Sequence, residues 1–221
     1  VTDPAQPGAE TGQSISSDAR TQIESITPLA SPRRIVLTGF MGSGKSTTGP
    51  LLAARLGWRF IDVDDVIEAE ADATIAQIFA RDGEAAFRER ERETIARLAS
   101  ADGLVLALGG GAIEHPTTRA LLLESAGTLL VHLEVELATT LARCLGTEST
   151  RPILADHANL AARYQRRLPL YRSAHVSIVV DALTPEEVVE AVVKATPQRT
   201  CAQAPSSPTN TSTHLTSSPA R

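Results

Sequence analysis

Nine consecutive residues, Gly39-Phe40-Met41-Gly42-Ser43-Gly44-Lys45-Ser46-Thr47, carry the densest chemistry in the chain. They fit G-x-x-x-x-G-K-[ST], in which glycines let backbone N–H groups curl around an anion and a lysine adds a mobile positive charge. The run follows a β-branched stretch, Ile35-Val36-Leu37-Thr38, and precedes apolar positions at Leu51, Leu52 and Leu56 in a helical pattern. Strand, glycine loop and helix N-terminus in that order make a phosphate site, because the helix turns the positive end of its dipole on the same anion. Gly42, Ser43, Gly44, Lys45, Ser46 and Thr47 are therefore read as an ATP-binding loop. Lys45 also stabilises charge during transfer, and Ser46 offers its hydroxyl to Mg²⁺. Pro50 falls about one turn into the helix, where it removes a donor and crowds the carbonyl four residues earlier, so a local kink is expected.

A second candidate group follows at Phe60-Ile61-Asp62-Val63-Asp64. In an extended segment, carboxylates two positions apart project to one side and can share a site. Phosphoryl transfer needs a metal holder and a group that orients or deprotonates the attacking hydroxyl. Asp62 is assigned to Mg²⁺, through water, and Asp64 to the acceptor hydroxyl. The competing reading is that these residues cap the next helix, a task for which Asp65 is the better candidate.

The elements that must position these groups are legible in the alternation of short β-branched runs with longer helical patterns. Arg34 to Thr38, Arg59 to Asp62, Leu104 to Leu108, Thr128 to Glu134 and Val176 to Asp181 read as buried parallel strands. Thr74-Ile75-Ala76-Gln77 and Thr184-Pro185-Glu186-Glu187 carry helix-start signals between them. The expected fold class is α/β: a doubly wound, five-stranded parallel sheet flanked by helices, with ligands beyond the carboxyl ends of its strands.

Composition narrows the class of partner. The 221 residues are 42% hydrophobic but only 3% aromatic, which suits an aliphatic core between sheet and helices. A net charge of -5, with arginines dispersed among acids, argues against nucleic acid and membrane surfaces as partners. No apolar run approaches the roughly 20 residues of a spanning helix. The first 30 residues set Asp3, Glu10, Asp18 and Glu24 against Arg20 alone, unlike a basic transit peptide. Two distant cysteines, Cys144 and Cys201, fit a reducing cytoplasm. A monomer is the expected state. Residues 1–32 and 197–221 are rich in Ser, Thr and Pro without apolar periodicity and read as disordered tails around one domain, 33–196.

Further motifs occur in order: Asp62-x-Asp64-x-x-Ile67-Glu68, Ile75-x-x-Ile78-Phe79, Gly83-Glu84-x-x-Phe87-Arg88-x-x-Glu91, Gly109-Gly110-Gly111-Ala112, Arg151-Pro152-Ile153-Leu154 and Leu170-Tyr171-Arg172. Together with the phosphate loop, this succession resembles shikimate kinase over roughly residues 33 to 195. The resemblance implies a nucleoside-monophosphate-kinase-like P-loop fold, and ATP-dependent phosphorylation of the 3-hydroxyl of shikimate in aromatic amino-acid synthesis. It further implies that Arg88 and Arg172 grip the substrate carboxylate, as guanidinium forks do. Asp64 then holds the hydroxyl end, and Gly109, Gly110 and Gly111 bring backbone N–H groups to the ring. By alternation alone, Arg88-Glu89-Arg90-Glu91-Arg92-Glu93 would read as a solvated face; Glu91 could brace Arg88 or pair with a neighbouring surface arginine. Arg172 lies on a helix expected over Ala161 to Ala174.

Gly146 to Pro152 has the composition of a mobile lid, whose closure would bring Arg151 onto the transferring phosphates of ATP. Tyr171, Trp58 and His132 read as packing. The chain departs from the family pattern at Pro50, where a basic residue commonly follows Gly49, and in its tails. Two rival functions share the phosphate loop. Another small-molecule kinase, such as a gluconate kinase, would not be expected to combine Arg88, the glycine triplet and Arg172. A nucleotide-dependent switch would need a guanine-reading Asn-Lys-x-Asp element, and the sequence has none.

Overall fold

The computed structural model describes residues 31–144 and 157–196. The lid motif, Arg151 included, and nearly all of both expected tails lie outside the described residues. Among the described residues, five strands form one parallel sheet: β1 (Arg34–Thr38), β2 (Arg59–Asp62), β3 (Leu104–Ala107), β4 (Thr128–Glu134) and β5 (Val176–Val179), in the order β2-β3-β1-β4-β5. β1 occupies the centre, so all five of its residues are buried. Neither edge strand matches the sequence expectation of full burial. β5 alternates half-buried and exposed residues, and β2 is partly exposed throughout, because each has a neighbour on one side only.

The helices are α1 (Lys45–Leu56), α2 (Val63–Ala71), α3 (Ile75–Leu98), α4 (Pro116–Glu124), α5 (Leu137–Cys144), α6 (His157–Tyr171) and α7 (Pro185–Ala195), with a short 3-10 turn at Ala112–Glu114. Both expected capping boxes form, at Thr74 with Gln77 and at Thr184 with Glu187. α3 is two helical pieces joined at Gly83, whose φ of 82° and ψ of 168° no helix interior adopts. α1 continues through Pro50 without interruption. Pro50 and Ser46 both face outward there, so the Ser46 carbonyl that loses its intrahelical donor can turn to water. Behind Pro50, Gly49 is buried, and a Cβ on it would stand within the ring of Phe60 on β2. This close approach locks α1 onto the sheet.

The strand order matters for the chemistry. β1 ends in the phosphate loop, its neighbour β3 ends in the glycine triplet, and β2 beyond it ends at Asp62. Three segments far apart in sequence therefore emerge side by side along one rim of the sheet.

Candidate active site

The phosphate loop closes on itself as its glycines allow. Gly44 is the N-cap of α1 at φ 90°, a left-handed conformation, and supplies no side-chain acceptor to the first turn. The N-terminal end of α1 thus opens onto the loop, where its dipole favours an anion. Thr47 N–H and Thr48 N–H reach back to the Gly44 carbonyl at 3.1 and 2.8 Å, while Ser43 is buried beneath the loop and donates its N–H to the Phe40 carbonyl. Lys45 Nζ lies over the loop, donating to the carbonyls of Gly39 (2.8 Å) and Phe40 (3.1 Å) and to Ser43 Oγ (3.3 Å).

Ser46 Oγ donates to Asp62 Oδ2 at 2.9 Å, which joins the two residues assigned to Mg²⁺. Magnesium takes one or two protein oxygens and completes its octahedron with phosphate and water. A hydroxyl and a carboxylate at the open rim of the loop fit that demand. Asp62 also accepts the Asp64 N–H at 3.1 Å, so it is Asp62, not Asp65, that caps α2. The chain has already turned helical at Val63. Asp62 and Asp64 therefore face the site from a cap and a first helical turn, and not from one extended strand as the spacing suggested.

Asp64 points under the glycine triplet. A Cβ on Gly109 would meet Asp64 Oδ1 at 2.8 Å and Glu91 Oε1 at 2.7 Å, so only glycine admits both carboxylates. Both oxygens are buried and lack a hydrogen-bond partner among the described residues. Burial, reinforced by Asp62, raises the Asp64 carboxyl to about 6, with Lys45 and Arg88 pulling the other way. Burial likewise raises Glu91 to about 7 against the pull of Arg88. Two unsatisfied buried carboxyl oxygens at one backbone position are costly to the fold and characteristic of a site that meets a hydroxyl or water.

Arg88 lies beside them. Its Nη1 donates to Glu91 Oε2 at 2.7 Å, its Nη2 reaches Glu84 at 3.3 Å, and a Cβ on Gly111 would collide with the guanidinium. Of the two readings left open for Glu91, the bracing of Arg88 is the one found. Glu91 is 2% exposed, whereas Arg92 and Glu89 pair with each other on the outer face.

Arg172 is not brought to this cluster, contrary to the sequence expectation. Its side chain is 56% exposed, and its guanidinium is held by Glu134 at the end of β4, with Nε donating to Oε2 at 3.2 Å. The cause is helical phase: five residues separate Arg172 from Arg167, about 140° around the helix. Arg167 is the arginine that faces inward. It is 4% exposed, and its Nη1 lies 3.6 Å from where a Cβ on Gly110 would stand. Tyr171, one turn later on the same face, donates its hydroxyl to the Gly110 carbonyl at 2.5 Å and stacks on buried His132. Burial lowers His132 to about 4, so it is neutral, which agrees with its reading as packing. Sequence reasoning passed over Arg167, although its spacing of four from an apolar-face tyrosine was a usable signal.

The rim thus sets an amide-lined anion cradle beside a cluster of two carboxylates and two guanidiniums around three glycines. The family model described as Shikimate kinase matches residues 41–197. The chain belongs to the shikimate kinase family. Shikimate kinase of Salinibacter ruber is 42% identical over 174 residues, covering 74% of this chain and 84% of the relative. That of Thermobifida fusca is 44% identical over 165 residues, covering 73% and 94%. Among solved structures, shikimate kinase from Acinetobacter baumannii in complex with shikimate superposes with a TM-score of 0.69 at 35% identity, covering 74% of this chain and 92% of that one. The fold expectation is met: this kinase has the five-stranded parallel sheet with flanking helices of its structural neighbours. Among its described residues no helix is long and apolar enough to cross a membrane.

Proposed function

We propose that this kinase transfers the γ-phosphoryl group of ATP to the 3-hydroxyl of shikimate, giving shikimate 3-phosphate and ADP. The observation that carries the reading is the gathering of Asp64, Glu91, Arg88 and Arg167 around Gly109, Gly110 and Gly111, on the rim next to the phosphate loop. An acceptor with hydroxyls at one end and a carboxylate at the other matches such a set of groups. The guanidiniums of Arg88 and Arg167 take the carboxylate, and Asp64 takes the hydroxyl.

In the reaction, the first-turn N–H groups of α1 and Lys45 hold the phosphate chain. Lys45 leaves the loop carbonyls to meet the β- and γ-phosphates. Ser46 and Asp62 would hold Mg²⁺, which when bound neutralises charge on the phosphate oxygens. Asp64, ionised above about pH 6, accepts the proton of the acceptor hydroxyl as its oxygen bonds to the γ-phosphorus and the bond to ADP breaks. Its raised value makes it a better base at neutral pH than an exposed aspartate. Arg151 belongs to this reading as a phosphate-facing residue of a closing lid. A reducing cytoplasm suits a chain with these partners.

The test is ADP release from the purified chain with Mg²⁺ and ATP, offered shikimate, gluconate or no acceptor. Turnover that requires shikimate and yields shikimate 3-phosphate supports the assignment. Turnover with gluconate alone, or indifferent to any acceptor, overturns it.

A further inference from the structure

Arg167 does not hold its place alone. Its Nε and Nη2 both donate to Glu114 Oε2, at 2.9 and 2.7 Å, and Arg166 grips the other oxygen of the same carboxylate through Nε and Nη2 at 2.9 and 2.8 Å. Glu114 sits at the end of the 3-10 turn that directly follows the glycine triplet. The same short segment therefore carries both the triplet and the residue that fastens α6 to it. With two of its three nitrogens committed to Glu114, Arg167 has Nη1 left to face Gly110 and Tyr171. Burial alone would raise the Glu114 carboxyl, but the bonds from Arg167 and Arg166 outweigh it and leave it below the ordinary value, so it stays ionised at neutral pH.

We infer that Glu114 is a positioning residue for the acceptor. By pinning one edge of the Arg167 guanidinium, it aims the other edge at the carboxylate of the substrate. A long, flexible side chain would otherwise lose rotamer freedom each time the acceptor bound, and the fork removes that cost beforehand. The pair is also buried enough on the Arg167 side that the charge needs a partner when no acceptor is present. This inference rests on the reading of Arg167 as a carboxylate anchor.

The experiment is a double-mutant cycle on the full chain with Glu114→Ala, Glu114→Gln, Arg167→Ala and the Glu114→Ala/Arg167→Ala pair. Steady-state constants for shikimate and ATP are measured with thermal midpoints. Glu114→Ala is expected to raise KM for shikimate about tenfold, with kcat and KM for ATP within about twofold, as loss of an outer partner does. Glu114→Gln keeps the shape but only one accepting oxygen, and should fall between Glu114→Ala and the native chain. The double variant should bind shikimate no worse than Arg167→Ala, because Glu114 acts through Arg167. The penalty of Glu114→Ala should vanish for the methyl ester of shikimate, a readout that general loosening of the fold would leave in place. If Glu114→Ala and Glu114→Gln keep the native KM for shikimate while Arg167→Ala raises it, the positioning role is wrong and the anchor stands. If Arg167→Ala also leaves KM unchanged, the anchor itself is wrong.

Discussion

Replacing Asp64 by Asn should make the fold more stable at neutral pH while removing catalysis, and the pH dependence of that gain follows from the site. Burial pushes the Asp64 carboxyl up to about 6 in the folded chain, against 3.8 for an unperturbed aspartate. Between those values the unfolded chain has lost a proton that the folded chain still holds. Stability therefore falls as pH rises through that window, by about 1.4 kcal/mol per pH unit for a single group. Asn does not titrate, so the stability of Asp64→Asn relative to the native chain should rise by about 1 kcal/mol between about pH 5 and pH 8. Glu91 adds to the effect with the same sign, since the Asp64 charge is one of the causes that raise it. Urea unfolding at several pH values measures the difference, with equal m-values as the condition for comparing midpoints. A difference that stays flat or shrinks with rising pH would refute the account of Asp64 as a buried carboxyl held in place for function.

Activity should show the complementary limb: kcat/KM for shikimate is expected to decline as pH falls through about 6, where Asp64 takes up its proton, as a pH–rate profile would record. Lys45→Ala should lower kcat by about a hundredfold through lost charge stabilisation in the transition state, read by single-turnover kinetics. Arg172→Ala should leave KM for shikimate within about twofold, since an exposed pair with Glu134 is worth little; a large increase would return the anchor role to it. Gly49→Ala should destabilise the chain by about 1–3 kcal/mol by driving a methyl into the Phe60 ring, and Phe60→Leu should recover part of the loss in the same thermal melts.

Local chemistry was legible without coordinates wherever a short segment contains its own instructions. The phosphate loop, the five strands and the capping boxes at Thr74 and Thr184 depend on residues within one or two turns of each other, and the chain places them as its spacing implies. Ser46 and Asp62, each assigned to Mg²⁺ from its chemistry, lie side by side, with Ser46 Oγ donating to Asp62 Oδ2 at 2.9 Å. Element ends were less legible, because caps compete: Asp62 ends β2 and begins α2 in a single residue, which displaced Asp65 from the role assigned to it.

Which charged side chains turn inward was decided by the tertiary structure. Glu91 and Arg92 are neighbours in a run of alternating charge, yet one is buried beneath Gly109 and the other faces solvent. Glu91 shares a helix face with Phe87 and Ile95, and packing that face against α2, α4 and the 3-10 turn takes the carboxylate with it. Arg167 and Arg172 are equally basic and five residues apart, so composition cannot rank them. The docking of α6 on the 3-10 turn, through Tyr171 and Glu114, brings one to the glycine triplet and leaves the other at Glu134. Sequence thus determined what chemistry the chain carries and in which segments. Only the packing of helices on a shared rim determined which guanidiniums stand together, because that depends on rotational phase between elements distant in the chain.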